Sequence, residues 1–113
     1  MKVWDLTFSN GAKRDLKNLN NSQRNEVLKS INKVLQNPLP SNEGGYGKPL
    51  GNKMGLNLSG CLKIKLKASG LRVVYRLIRT ETEMQVIVIG LRADEEVYKI
   101  AYQRLQALKM GKV

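Results

Sequence analysis

Residues 61–76 read CLKIKLKASGLRVVYR. Lys63, Lys65 and Lys67 alternate with Leu62, Ile64 and Leu66. After a short turn, Arg72 and Arg76 fall among Leu71, Val73 and Tyr75. Side chains of a strand point alternately to the two faces of a sheet, so this pattern reads as a β-hairpin whose residues are sorted by parity. Leu62, Ile64 and Leu66 must share a core with Leu71, Val73, Tyr75 and Leu77. A one-residue slip would turn a whole strand inside out, so the connecting loop must be even, most simply Ser69–Gly70. Lys63, Lys65 and Arg72 then land together on the opposite face. Like charges facing across strands cost ~0.2–1 kcal/mol each. Charged edge strands protect against aggregation, which alone would account for three lysines. Two arginines in addition, with no Asp or Glu from Gly44 to Thr80, point to an anion site.

The rest of the chain agrees with that reading. Its 113 residues carry 20 basic and 9 acidic side chains, a formal charge of +11. Such an excess on a short chain points to a polyanionic partner. The charge lies on strand-patterned sequence and not on a basic amphipathic helix, which favours nucleic acid over an anionic membrane. No apolar run approaches the ~18–20 residues that span a bilayer, and the N-terminus MKVWDLTF alternates like a strand and not like a signal peptide. A cytoplasmic protein with one domain over residues 1–113 is expected. The single Cys61 excludes an intramolecular disulfide and a cysteine-cluster zinc site, and there is no histidine. Ser-His-Asp and Cys-His catalysis and His-ligated metals are therefore excluded. No cofactor is expected, and any enzyme must work with Lys, Arg, Tyr or carboxylates.

Residues 2–8 alternate as a first strand. Ser9 or Asn10 caps a helix with Ala12, Leu16 and Leu19 on one stripe, and Ser22 caps a second with Val27, Leu28, Ile31, Val34 and Leu35 at helical spacing. Asn37-Pro38 ends it. Residues 38–60 hold all three prolines and six of the ten glycines and read as a long connector in which Lys48 and Lys53 touch an RNA backbone. MQVIVIGLR (84–92) is apolar on both faces and should be a central strand covered on both sides. Asp94 caps a last helix with Val97, Ala101, Leu105 and Leu108 buried. The order is β-α-α-β-β-β-α. The fold class is α+β, a largely antiparallel four-stranded sheet packed by an N-terminal helix pair, with a C-terminal helix.

The stretch LSGCLKIKLKASGLRVVYR, followed by VIGLRADEEVYKIAYQRL, resembles the RelE branch of the RelE/ParE toxin superfamily. The shared features are the strand–helix–helix opening, the K-x-K strand, G-x-R-x-x-Y, and R-x-x-x-x-V-Y before the last helix, and they span nearly the whole chain. The resemblance implies the toxin of a toxin–antitoxin pair that cleaves mRNA at the ribosomal A site and assembles with a small antitoxin. It implies a catalytic set of Lys63, Lys65, Arg72, Arg92 and Tyr98. Lys48, Lys53, Lys67 and Arg76 are the further RNA-contacting candidates. Some relatives use a Glu–His pair, for which this sequence has no histidine, and Leu91 and Asp94 stand near Arg92 where some members are more basic. The ParE branch shares the fold and inhibits DNA gyrase without cleaving RNA. Gyrase inhibition and plain RNA binding are the alternatives.

The chemistry open to such a set follows from the substrate. RNA carries its own nucleophile, the 2′-hydroxyl, so a metal-free nuclease must deprotonate it, align it and stabilise the added charge. The products are a 2′,3′-cyclic phosphate and a 5′-hydroxyl. A free lysine, with a pKa near ~10.4, is a poor base, but neighbouring cations disfavour its charged form. Lys65 is then the base with Lys63 assisting, Arg72 grips the phosphate, Arg92 stabilises the leaving oxygen, and Tyr98 stacks on or orients a base. Tyr75, Tyr102 and Cys61 read as structural.

Overall fold

The computed structural model describes residues 3–53, 55–91 and 96–111, with the backbone alone at Lys53. Five strands and three α-helices are described: β1 (Asp5–Phe8), α1 (Asn10–Lys17), α2 (Asn21–Leu35), β2 (Lys48–Lys53), β3 (Leu56–Leu66), β4 (Leu71–Ile78), β5 (Glu83–Leu91) and α3 (Glu96–Lys109). The strands form one sheet in the order β1-β5-β4-β3-β2. Every neighbouring pair is antiparallel except β1 with β5. The α+β class, the helix pair, the C-terminal helix and the largely antiparallel sheet are as expected. The strand count is not: the sheet has five strands where the sequence predicts four.

The extra strand comes out of the supposed connector. β2 and the first half of β3 occupy residues 48–60, pairing Lys48 with Lys63 and Lys53 with Leu56. Their register shifts between Pro49 and Gly51, and Gly51 and Gly60 take φ of 61° and 87°. Bulged, glycine-containing strands lose the period-two pattern that announces a strand in sequence. The segment before β2 is tied down as well. Tyr46 N–H donates to Asn37 O at 2.9 Å and Ser41 N–H to Gly47 O at 2.7 Å, and Arg79 makes a two-pronged pair with Glu43.

The hairpin keeps the predicted parity with a longer loop. Leu66 pairs with Leu71, Ile64 with Val73 and Leu62 with Tyr75, so the loop is Lys67–Gly70 and not Ser69–Gly70 alone. Gly70 closes it with φ 75° and donates its N–H to Leu66 O at 2.9 Å. Ser69 Oγ donates to Glu26 Oε1 of α2 at 2.8 Å, fixing the tip to the helix layer.

Two hydrophobic cores flank the sheet. Under the helix pair, Ala12, Val27, Ile31 and Val34 meet Leu62, Ile64, Leu66, Leu71, Val73, Tyr75, Met84, Val86 and Ile89. Tyr75 is fully buried and donates its hydroxyl to Pro38 O at 2.8 Å. Gly47 makes room for it: a Cβ there would lie 2.3 Å from the Tyr75 hydroxyl oxygen. On the other face, Val97, Tyr98, Ala101 and Leu105 of α3 pack on Val74, Ile87, Val88, Cys61, Leu58 and Leu50. β5 is thus covered on both sides. A bulge explains its unbroken apolarity: Val74 pairs with Val88 but Tyr75 with Val86, and Ile87 and Val88 both join the α3 core.

Local caps set the helix ends. Ser9 Oγ accepts from Ala12 N–H at 3.1 Å and starts α1. Asn20, not Ser22, caps α2. Its Oδ1 accepts from Gln23 N–H at 2.8 Å while Gln23 Oε1 accepts from Asn20 N–H at 3.2 Å, a reciprocal capping box. Arg24 of α2 donates to Leu16 O, Lys17 O and Leu19 O, closing the end of α1. The expected cap Asp94 lies outside the described residues. None of the described helices is long and apolar enough to cross a membrane.

Candidate active site

The antiparallel register of β3 and β4 places Lys65 directly opposite Arg72. On the same sheet face, Lys63 is the next outward residue along β3, with Val74 on one side and Lys48 of β2 on the other. Paired residues share a face, so the fifth strand, unforeseen in sequence, brings Lys48 beside Lys63. A row of cations therefore runs across three strands on the face that α3 covers.

Burial differs sharply along this row. Lys65 and Lys48 are exposed and Lys63 is half-buried, whereas Arg72 retains 7% exposure. Opposite Arg72 on β5 is Gly90, which puts no side chain beside it. Arg72 Nη1 donates to Leu71 O at 3.2 Å, while its buried Nε has no hydrogen-bond partner among the described residues. An unpartnered buried donor on a cation is costly unless an anion completes it. No ion pair joins Arg72 to Glu96 among the described residues, and Glu95 lies outside them.

Tyr98 lies in the α3 core with 2% exposure. Its ring centroid is 6.0 Å from Lys63 Nζ, within the range of cation–π attraction. The ring is thus turned inward and lies beside the Lys63 ammonium. Arg76 shares the sheet face but sits four residues along β4 from Arg72, roughly 13 Å away at strand rise. Its Nε donates to Gln85 Oε1 at 2.7 Å, which sets it apart from the Lys65–Arg72 pair. Lys67 is exposed at the hairpin tip. Arg92 and the Lys53 side chain lie outside the described residues. Cys61 is 3% exposed, and burial pushes its thiol up to about 11 despite nearby Arg76 and Lys109. It packs as a small hydrophobe. Tyr75, also read as structural, has its hydroxyl pushed far above the ordinary tyrosine range by burial.

A contact that sequence reasoning missed supports the site from behind. Asp15 of α1 pairs with Arg104 of α3 at 2.7 Å and accepts Ile89 N–H at 3.0 Å. Arg104 also donates to Ile87 O at 2.9 Å. β1 pairs with β5 only as far as Val86, and these side chains satisfy the backbone groups of β5 beyond that point. They thereby lock α3 to the strand that faces Arg72. Charge and position in sequence give no sign of a pairing 89 residues apart.

Fold and cation row together define a small basic α+β domain of RelE-like topology, with a row of cations across one sheet face. Residues 6–98 match the family model of the ParE toxin of the type II toxin–antitoxin system parDE. The mRNA interferase toxin RelE of Escherichia coli K12 is 31% identical over 100 residues, covering 88% of this chain and 95% of the relative. A mutant of the E. coli toxin RelE, solved in the free state, superposes with a TM-score of 0.72 at 30% identity over 92% of this chain and 99% of that one. The intact E. coli RelBE toxin–antitoxin complex contains a chain that matches at TM-score 0.60 and 28% identity, over 78% and 95% of the two chains. The chain belongs to the RelE/ParE toxin superfamily, as a RelE-type member.

Proposed function

We propose that this protein is the toxin of a toxin–antitoxin pair and an mRNA interferase that cuts mRNA in the ribosomal A site, in the cytoplasm. The observation that carries the reading is the direct opposition of Lys65 and Arg72 across β3 and β4, with Lys63 and Lys48 extending the row. The relative at 31% identity is named an mRNA interferase, and a matching toxin chain is solved with its antitoxin. A cognate antitoxin is accordingly the protein partner.

In the proposed reaction, neutral Lys65 takes the proton of the RNA 2′-hydroxyl. The freed oxygen attacks the adjacent phosphorus, a P–O2′ bond forms, and the P–O5′ bond breaks. The products are a 2′,3′-cyclic phosphate and a 5′-hydroxyl, whose oxygen takes its proton from water. Arg72 supplies the unpartnered Nε and its planar fork to the phosphate oxygens. Lys63, held against Tyr98, assists Lys65 and adds positive charge beside the attacked phosphate. Arg92, next in sequence after Leu91, stabilises the leaving oxygen. Lys48 and Lys67 contact the flanking backbone.

A substrate with a 2′-deoxy nucleotide at the scissile position tests the route. Cleavage should fall below detection on that substrate while binding persists and EDTA leaves wild-type cutting intact. Equal cutting of deoxy and ribose substrates would reject attack by the substrate's own hydroxyl. Gyrase inhibition is the competing reading, favoured by the ParE name of the matched family model. It predicts DNA breaks with translation spared, whereas an interferase stops translation first.

A further inference from the structure

The chain has ten glycines, and the fold accounts for nine of them. Six take positive φ, where a side chain is strained. At Gly11, Gly45 and Gly47 an added Cβ would strike Arg104, Leu39 or Tyr75. Gly90 has neither reason. Its φ is not positive, and among the described residues an added Cβ would meet only Val97, whose Cγ2 would lie 3.6 Å away in ordinary van der Waals contact. The packing of α3 on β5 thus has room for an alanine here. Nor is Gly90 at the β4–β5 bulge, which begins beyond the Val74–Val88 pair.

A glycine inside a strand costs stability, and where no turn or bulge requires it, it marks the close approach of another group. Across the ladder Gly90 faces Arg72. A side chain at Gly90 would stand on the same sheet face as the guanidinium, with the Cβ separation of ~4.5–5.5 Å common to opposed residues. Lys65 occupies the β3 side of Arg72, so β5 is the side left open. Gly90 is half-buried there and lines, with Leu91, Val97 and Ile100, a recess of about 260 Å³. Of the carboxylates in its lining, Asp15 is held by Arg104 and Glu96 is exposed to solvent. Arg72 meanwhile keeps a buried Nε with no partner among the described residues.

We propose that Gly90 is a positioning residue. By withholding a side chain it lets the scissile phosphate of the RNA seat against the Arg72 guanidinium from the β5 side. The inference rests on the interferase reading for the identity of the substrate.

The experiment adds methyl groups in that place. Gly90→Ala and Gly90→Val are compared with wild type in single-turnover cutting of mRNA on translating ribosomes over a range of toxin concentrations, with circular dichroism melts of each protein. Gly90→Ala should melt no earlier than wild type and cut about 10-fold to 10²-fold more slowly at saturation, and Gly90→Val more slowly still. The half-saturating concentration should change by less than about threefold. A second readout needs no cutting. The Arg72 Nε–H cross-peak in a nitrogen–proton NMR spectrum, identified by its loss in Arg72→Met, should move when wild type is titrated with a 2′-deoxy dinucleoside monophosphate. In Gly90→Ala it should stay in place. Cutting by folded Gly90→Ala at the wild-type rate, or a cross-peak that shifts in it as in wild type, would overturn the proposal. So would early melting of Gly90→Ala, which would give the glycine a structural reason. Failure of the interferase reading would show separately, as wild-type protein that leaves no cut ends, while the cross-peak still reports whether Gly90 opens a phosphate seat.

Discussion

The two faces of the sheet use the same strands for different ends. Towards the helix pair, β3, β4 and β5 present Leu62, Ile64, Leu66, Leu71, Val73, Tyr75 and Ile89, and the only polar atom of that set, the Tyr75 hydroxyl, is satisfied by Pro38 O. Towards α3, the alternate residues of the same strands mix Val74, Ile87 and Val88 with Lys63, Lys65 and Arg72. One face obeys the rules for a stable core. The other breaks two of them, with like charges directly opposed and a buried guanidinium Nε that has no partner among the described residues. Departures of this kind collect at functional sites, where a ligand completes what the fold leaves open.

Neighbouring positions on β4 therefore separate stability from activity. Tyr75→Ala should cost about 3–5 kcal/mol by urea melt, since it empties a fully buried aromatic site and orphans Pro38 O. Arg72→Met should leave stability within about 1 kcal/mol, or raise it, because a buried charge is replaced by an apolar side chain of similar length, while cleavage is lost. Comparable destabilisation by both would erase the distinction between the faces. A smaller effect is expected at Cys61. Its thiol is raised to about 11 by burial, so the folded state favours the protonated form. The associated stability is complete below the unfolded value near 9 and is lost as pH rises towards 11. Iodoacetamide should accordingly label native protein at pH 7.5 far more slowly than protein in urea, and equal rates would place Cys61 outside the core.

How much of this was legible in the sequence depended on whether a pattern was local. The β3–β4 register was readable because parity is unforgiving: Leu62, Ile64 and Leu66 have one arrangement that buries them with Val73 and Tyr75. The loop length was not fixed by that argument, since two and four residues have the same parity, and Gly70 and the Ser69–Glu26 bond select four. β2 was hidden because KPLGNK has no alternation and its partner strand is bulged. The helix stripes were clear, but the expected α2 cap Ser22 was wrong, because Gln23 completes a reciprocal capping box with Asn20. Lys63, Lys65 and Arg72 were found together because one hairpin carries them all. The burial of Tyr98 and the Asp15–Arg104 pair arise from α3 folding back across the sheet, a long-range event that local periodicity does not encode.

The central claim is that Lys65 and Arg72 act as one catalytic unit on the α3 face. A toeprint assay on translating ribosomes, comparing wild type with folded Lys65→Ala/Arg72→Ala, addresses it most directly. Wild type should cut the message in the A site, leaving 2′,3′-cyclic phosphate ends, and the double variant should be slower by about 10³-fold or more. Cutting by the double variant at the wild-type rate would contradict it.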